Sequence, residues 1–306
     1  MPYLELIAGF ALLVAGGDAL VRGAVGAARR LRVSPLLIGL TLVGFGTSTP
    51  ELVTSLQAAL AGSPGIAIGN VVGSNVANIL LILGVAAAIR PIAAPGPSMR
   101  RDGAMLALAT GLCVAAAMSG SIGRVWGGLL VAGLVAYIAT AYLAERGAPQ
   151  EETGEPSRRL PLSLALVAGG IAVTVLGAGL LVGAATTLAT QWGVSERVIG
   201  LTVVAVGTSL PELAASVAAA MRRQGAMALG NVVGSNIYNV FGILGITALV
   251  RPMDVPPAFA GLDVAVLIGS AAALLVLALA VGRVGRIAGW TLLTAYGAYM
   301  SWLFLA

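Results

Sequence analysis

The sequence predicts an all-α integral membrane fold, with ten transmembrane helices arranged as two inverted-topology five-helix repeats. Three observations carry that reading. The composition is one that only lipid can solvate, apolar runs of span length recur from end to end, and the chain contains a gapless duplication.

Of 306 residues, 58% are apolar and only 9% are charged, and the mean hydropathy is +0.99. A soluble domain carries about 25% charged residues. Runs of about 20 apolar residues recur along the chain, the length that crosses a hydrocarbon layer. The first, Tyr3 to Val21, has no basic residue before it and carries Glu5. It reads as a retained span rather than a signal peptide, which opens on positive charge.

The expected spans are 3–21, 35–60, 66–89, 102–118, 124–143, 161–182, 196–221, 226–249, 261–281 and 287–305. With the N-terminus outside, the inner loops hold Arg22, Arg29, Arg30, Arg32, Arg90, Arg100, Arg101, Arg146, Arg158, Arg159, Arg222, Arg223, Arg283 and Arg286. That is 14 of the 17 basic residues, leaving Arg124, Arg197 and Arg251 outside. The positive-inside rule selects this orientation in a plasma or inner membrane, with both termini outside. The net charge of +5 is therefore topological and does not point to nucleic acid. Two repeats are expected, 1–144 and 161–306, joined by a cytoplasmic linker over 145–160 that is rich in Glu, Pro, Gly and Arg.

The duplication aligns Val33–Gly84 with Val194–Gly245 at a constant offset of 161, with about 28 of 52 positions identical. Gly46-Thr47-Ser48-Thr49-Pro50-Glu51 answers Gly207-Thr208-Ser209-Leu210-Pro211-Glu212. Gly69-Asn70-Val71-Val72-Gly73-Ser74-Asn75 recurs unchanged from Gly230 to Asn236. Five crossings separate equivalent points, and an odd number inverts the copies. Inverted repeats place ion sites near the midplane, where the halves meet.

The residue types narrow the chemistry. There is no His and no Lys, and Cys113 is the only cysteine. Histidine or cysteine metal sites, Ser–His and Ser–Lys nucleophiles and histidine proton relays are thereby excluded. One cysteine makes no intrachain disulfide. Oxygen ligands remain, and they suit hard cations such as sodium, calcium and magnesium. No cofactor is called for, and no obligate protein partner is indicated.

Only Asp18, Glu51 and Glu212 are expected well inside apolar spans, and a carboxylate there marks a functional site. Glu51 and Glu212 occupy equivalent positions, so they are expected to approach each other. Pro50 and Pro211 precede them, each lacking an N–H and crowding the carbonyl four residues back. Carbonyls around Thr47 and Thr208 are freed, and irregular backbone at membrane depth persists where it lines a cavity. Ser48 and Ser209 share a helical face with the glutamates. Ser74 with Asn78, and Ser235 with Asn239, stand at i, i+4 and also share a face. Gly69, Gly73, Gly230 and Gly234 are expected to let these helices press against the broken ones. Asp18 stands four residues before Arg22, an ion-pair spacing; its counterpart is Gly179, so a structural or gating role is expected.

The two motifs, G-T-S-x-P-E and G-N-x-x-G-S-N, resemble the alpha-repeats of the cation/calcium antiporter superfamily, in its sodium/calcium exchanger branch. The resemblance implies eight core helices, with the long first and sixth helices sliding across them. It implies that Glu51 and Glu212 bind calcium with the carbonyls of Thr47 and Thr208. Ser48, Ser74, Ser209 and Ser235 would complete flanking sodium sites with the carbonyls of Gly44 and Ala205, and Asn78 and Asn239 would line the middle. Three sodium ions would exchange for one calcium. Asn239 replaces an Asp associated with potassium co-transport, which argues for potassium independence. A proton/calcium antiporter using the same glutamates is the nearest rival reading, and a cation channel is a more distant one.

Overall fold

The computed structural model describes residues 2–94, 96–145, 159–192, 205–256 and 261–305. Nearly all of them are helical. In chain order the helices are α1 (Pro2–Leu31), α2 (Pro35–Thr47), α3 (Thr49–Leu60), α4 (Pro64–Ile89), α5 (Gly96–Met118) and α6 (Arg124–Glu145). After them come α7 (Leu160–Gln191), α8 (Ala205–Thr208), α9 (Leu210–Met221), α10 (Gly225–Val250), α11 (Leu262–Ala280) and α12 (Arg286–Leu305).

Seven helices among the described residues are long and apolar enough to span a membrane, or eight if α2 and α3 form one bent span. The sequence expects ten. The difference lies in two places. The seventh expected span begins outside the described residues, leaving α8 and α9. Helix α12 has 20 residues, but Trp, Tyr, Thr and Gly dilute its hydropathy. Most of the expected linker, with Arg146 and Arg158, and Arg197 also lie outside the described residues.

Helices α1 and α7 are the longest, at 30 and 32 residues. At 1.5 Å per residue they are about 45 and 48 Å long, more than the roughly 30 Å hydrocarbon layer, so each must tilt to span it. They lie against each other over most of their length at backbone contact. A Cβ at Gly9 would stand 2.7 Å from the Gly177 carbonyl, and one at Gly170 2.6 Å from the Leu20 amide. Small residues permit this approach and substitute for hydrophobic attraction, which lipid does not supply.

The two halves are tied by contacts that come in exchangeable pairs. Strand β1 (Ile92–Ala93) pairs antiparallel with β4 (Arg283–Val284), and β2 (Ser121–Ile122) with β3 (Met253–Asp254). Within each half a further matched contact recurs: Tyr137 donates to Asp102 at 3.2 Å, and Tyr299 donates to Asp263 at 2.7 Å. Asp102 corrects the sequence reading, which placed only three acidic residues deep in apolar surroundings. It is wholly buried, and Arg101 (2.7 and 3.1 Å) and Tyr137 together satisfy both carboxylate oxygens. A paired carboxylate can be buried at the foot of a helix where a lone one cannot.

Candidate cation site

The site begins with two helix breaks. Between α2 and α3 the chain bends by 45° at Ser48 (φ −84°, ψ 10°). Between α8 and α9 it breaks at Ser209 (φ −90°, ψ 7°). Pro50 and Pro211 stand in the first turn after each break, where a missing N–H costs nothing. The break starts a new helix, so Glu51 and Glu212 each lie in the first turn of a 12-residue helix. The positive end of the backbone dipole there favours a carboxylate. Both glutamates are buried, at 2% and 1% exposure.

The serines do not serve the glutamates of their own helices. Ser48 Oγ donates to Glu212 Oε1 at 2.7 Å, and Ser209 Oγ donates to Glu51 Oε1 at 3.2 Å. The sequence reading paired each serine with its own Glu on a shared face. The break turns that face toward the other half instead. No arginine pairs with either carboxylate among the described residues.

Helices α4 and α10 close the site. Asn78 Nδ2 donates to Asn236 Oδ1 at 3.0 Å, and Asn239 Nδ2 donates to Asn75 Oδ1 at 2.9 Å. Asn75 Nδ2 also donates to the Asn236 carbonyl at 3.3 Å. These bonds set the amide orientation of Asn78 and Asn239 and leave both side-chain oxygens bare. Each of the two residues opens a π-helical stretch, Asn78–Leu83 and Asn239–Leu244. π-bulges concentrate at functional sites.

Behind the glutamates a second layer fixes the backbone. Asn70 Nδ2 donates to the Glu51 carbonyl (3.0 Å) and to Ser55 Oγ (2.8 Å). Asn231 Nδ2 does the same to the Glu212 carbonyl (3.2 Å) and Ser216 Oγ (2.8 Å). Sequence reasoning left out Asn70, Asn75, Ser55 and their counterparts Asn231, Asn236 and Ser216. Their signal was present, since all six stand at duplicated positions, but spacing alone did not say which amides face inward.

The other expected residues fall around this centre. Ser235, fully buried, donates to the Gly44 carbonyl at 3.4 Å across the halves. Ser74 is buried. Thr47, fully buried, donates its hydroxyl proton to the Val43 carbonyl at 3.1 Å. Thr208 is half-buried, and Ala205 opens α8. Close packing is found at Gly230 and Gly234, where a Cβ would lie 2.4 Å and 2.2 Å from the Leu36 and Leu40 carbonyls. Among the described residues nothing lies within 4 Å of a Cβ at Gly73.

Asp18 bonds to Arg22 at 2.8 Å, as its spacing predicts. It also bonds to Arg222 at the end of α9, joining α1 to the core.

Four buried oxygens at the centre have no hydrogen-bond partner: Glu51 Oε2, Glu212 Oε2, Asn78 Oδ1 and Asn239 Oδ1. Buried acceptors are ordinarily satisfied, and leaving them bare is costly. Two carboxylate and two amide oxygens that no donor in the protein satisfies are a ligand set for a hard cation.

A family model described as "Sodium/calcium exchanger protein" matches residues 2–143 and 162–305. The chain belongs to that family. Family membership makes it a membrane ion transporter of the antiporter class rather than an enzyme. Among its relatives in this family, the sodium/calcium exchanger MaX1 of Methanosarcina acetivorans is 34% identical, over 99% of this chain and 98% of that protein. The inner membrane protein YrbG of Escherichia coli (strain K12) is 37% identical, over 82% of this chain and 81% of that one. A solved structure of the sodium-calcium exchanger NCX_Mj, soaked with sodium and calcium, superposes with a TM-score of 0.86 at 32% identity. That superposition covers 98% of this chain and 97% of the other, so the exchanger fold extends through both halves.

Proposed function

We propose that this chain exchanges sodium for calcium across a cell membrane by alternating access, three sodium ions for each calcium and without potassium. The observation that carries the reading is the quartet of bare oxygens on Glu51, Glu212, Asn78 and Asn239. Calcium would sit between the two carboxylates with the carbonyls of Thr47 and Thr208. Sodium ions would take flanking positions built from Ser48, Ser74, Ser209 and Ser235 with the carbonyls of Gly44 and Ala205. Calcium accepts six to eight oxygen ligands in flexible geometry, and sodium competes for the same hard donors.

In this reading the chain forms ten spans as two inverted five-helix repeats, with both termini outside and the 145–160 linker in the cytoplasm. The reciprocal Ser48–Glu212 and Ser209–Glu51 bonds and the reciprocal strand pairs support a two-fold relation between the halves. The glutamates and asparagines are almost inaccessible, so ions reach them only if helices move. The pair α1 and α7, packed against each other through glycines, is the mobile element. A site open to one side at a time is what exchange through shared ligands requires.

The test is calcium uptake by the purified protein in liposomes under imposed sodium, potassium or proton gradients. Uptake driven by sodium alone is the expected result. Uptake driven by a proton gradient with no sodium present would replace this reading with a proton-coupled one.

A further inference from the structure

A cavity of about 550 Å³ lies away from the cation site and is lined by Arg29, Arg90 and Arg223, with Ser34, Ser98 and Gln224 among its polar groups. Its walls come from the end of α1, the start of α2, the end of α4, the start of α5 and the turn between α9 and α10. Among the described residues no Asp or Glu lines it. Arg90 and Arg223 make no ion pair or side-chain hydrogen bond among the described residues, and both are exposed at its mouth. Three positive charges exclude this cavity as an entrance for sodium or calcium.

The charge is only partly duplicated. At the constant offset of 161, Arg90 answers to Arg251, but Arg29 answers to Thr190 and Arg223 to Gly62. Two of the three arginines therefore have no basic counterpart. Arg223 also keeps its place against a backbone cost. It adopts φ 63°, a left-handed conformation that disfavours L side chains, whereas Gly62 takes φ 77° at no steric cost. The first turn of α10 opens on the same space with no side-chain cap, which adds unpaired amide donors.

We propose that this cavity binds a phosphate-bearing anion, either an anionic phospholipid headgroup or free phosphate. Arg90 and Arg223 hold the phosphate oxygens by charge-assisted hydrogen bonds, Arg29 adds its positive charge to the cavity, and Ser98 and Gln224 complete the cradle. Because its walls join the end of α1 to the core, occupancy ties that helix down. The proposal is independent of which ions the chain exchanges.

The test is a thermal unfolding titration of the full chain in maltoside micelles, with three probes. These are dioctanoylphosphatidylglycerol, dioctanoylphosphatidylcholine, and inorganic phosphate against chloride at matched ionic strength. A saturable rise in midpoint with phosphatidylglycerol and none with phosphatidylcholine or phosphate assigns a lipid headgroup. A rise with inorganic phosphate that chloride does not reproduce assigns a soluble anion. Arg90→Gln and Arg223→Gly are each expected to weaken the apparent affinity about fivefold or more. Arg223→Gly restores the residue used by the counterpart turn, so it retains the fold. Arg100→Gln, exposed and outside the cavity, is expected to leave the affinity unchanged. If neither phosphate source raises the midpoint, or if Arg100→Gln weakens binding as much as Arg90→Gln, the site does not exist.

Discussion

Ser48 and Glu212 lie 164 residues apart in the chain, yet their side chains meet at 2.7 Å. Ser209 and Glu51 repeat the contact in reverse at 3.2 Å. Each half thus supplies the hydrogen-bond donor for the other half's carboxylate. Hydrogen bonds to charged groups contribute about 1.5–3 kcal/mol. A double-mutant cycle for Ser48→Ala and Glu212→Gln is therefore expected to show a coupling energy of about 1 kcal/mol or more. The same cycle with Glu51→Gln in place of Glu212→Gln is expected to show less, because Ser48 makes no bond to Glu51. Equal coupling in unfolding measurements would mean that the cross-half bond is not the dominant contact.

Glu51→Gln and Glu212→Gln each keep the side-chain shape and remove one charge facing the bare oxygens. Losing a charged ligand from a dry site is expected to weaken calcium binding about 100-fold or more, corresponding to about 3 kcal/mol. The fold is expected to survive, since it loses no internal partner of the bare oxygen Oε2. Calcium binding by calorimetry and transport in liposomes check this together. Either variant transporting at near parental rates would remove the two carboxylates from the calcium site.

Ser74→Ala and Ser235→Ala separate the two ions. In the proposed site both hydroxyls belong to the flanking sodium positions, and Ser235 meets the Gly44 carbonyl across the halves. Sodium dependence of exchange is expected to weaken severalfold, about 1 kcal/mol in free energy, with calcium affinity changing less. Parallel sodium and calcium titrations decide it, and equal losses would merge the two kinds of site.

At the proposed three sodium ions per calcium, formal charge makes the exchange voltage-sensitive. Asn78 and Asn239 are neutral, so the centre carries only the two glutamate charges. Calcium brings it to zero, whereas three sodium ions bring it to +1, and a cycle alternating between them moves one net charge. Moving one charge through 100 mV corresponds to about 2.3 kcal/mol. Sodium-driven calcium uptake is therefore expected to respond to an imposed potential and to persist with potassium replaced by choline. A rate indifferent to voltage contradicts the three-to-one count, and a requirement for potassium contradicts the reading of Asn239.

Gly234 tests the packing behind the site. A Cβ there would lie 2.2 Å from the Leu40 carbonyl, a backbone atom that cannot step aside alone. Gly234→Ala is expected to destabilise the fold by about 1–3 kcal/mol. Gly179→Ala, with nothing within 4 Å among the described residues, is expected to be neutral or slightly stabilising, as alanine favours helix interiors. Thermal unfolding in detergent compares them, and an equal effect would contradict the close approach of α10 to α2.

Much of the molecule is legible before any coordinates. Glu51 and Glu212 stand out because a carboxylate in an apolar run is costly, and duplication at one offset pairs them. Pro50 and Pro211 locate the breaks, because a missing N–H has the same effect in any fold. Asp18 and Arg22 follow from helical spacing. These are local properties, or properties of the repeat, and the sequence by itself determined them. It did not reveal the burial of Asp102, because the Tyr137 that satisfies it comes from another helix. Nor did it reveal which serine serves which glutamate.

Tertiary structure alone decided the direction of each polar group. The turn at Ser48 points its hydroxyl away from Glu51 and toward Glu212, and Asn236 and Asn75 hold the amides of Asn78 and Asn239 so that two oxygens remain bare. Arg222 reaches Asp18, which helical spacing assigned to Arg22 alone. Contacts across more than 150 residues leave no trace in local spacing. They depend on how two breaks and two glycine-lined helices meet, and packing sets that geometry.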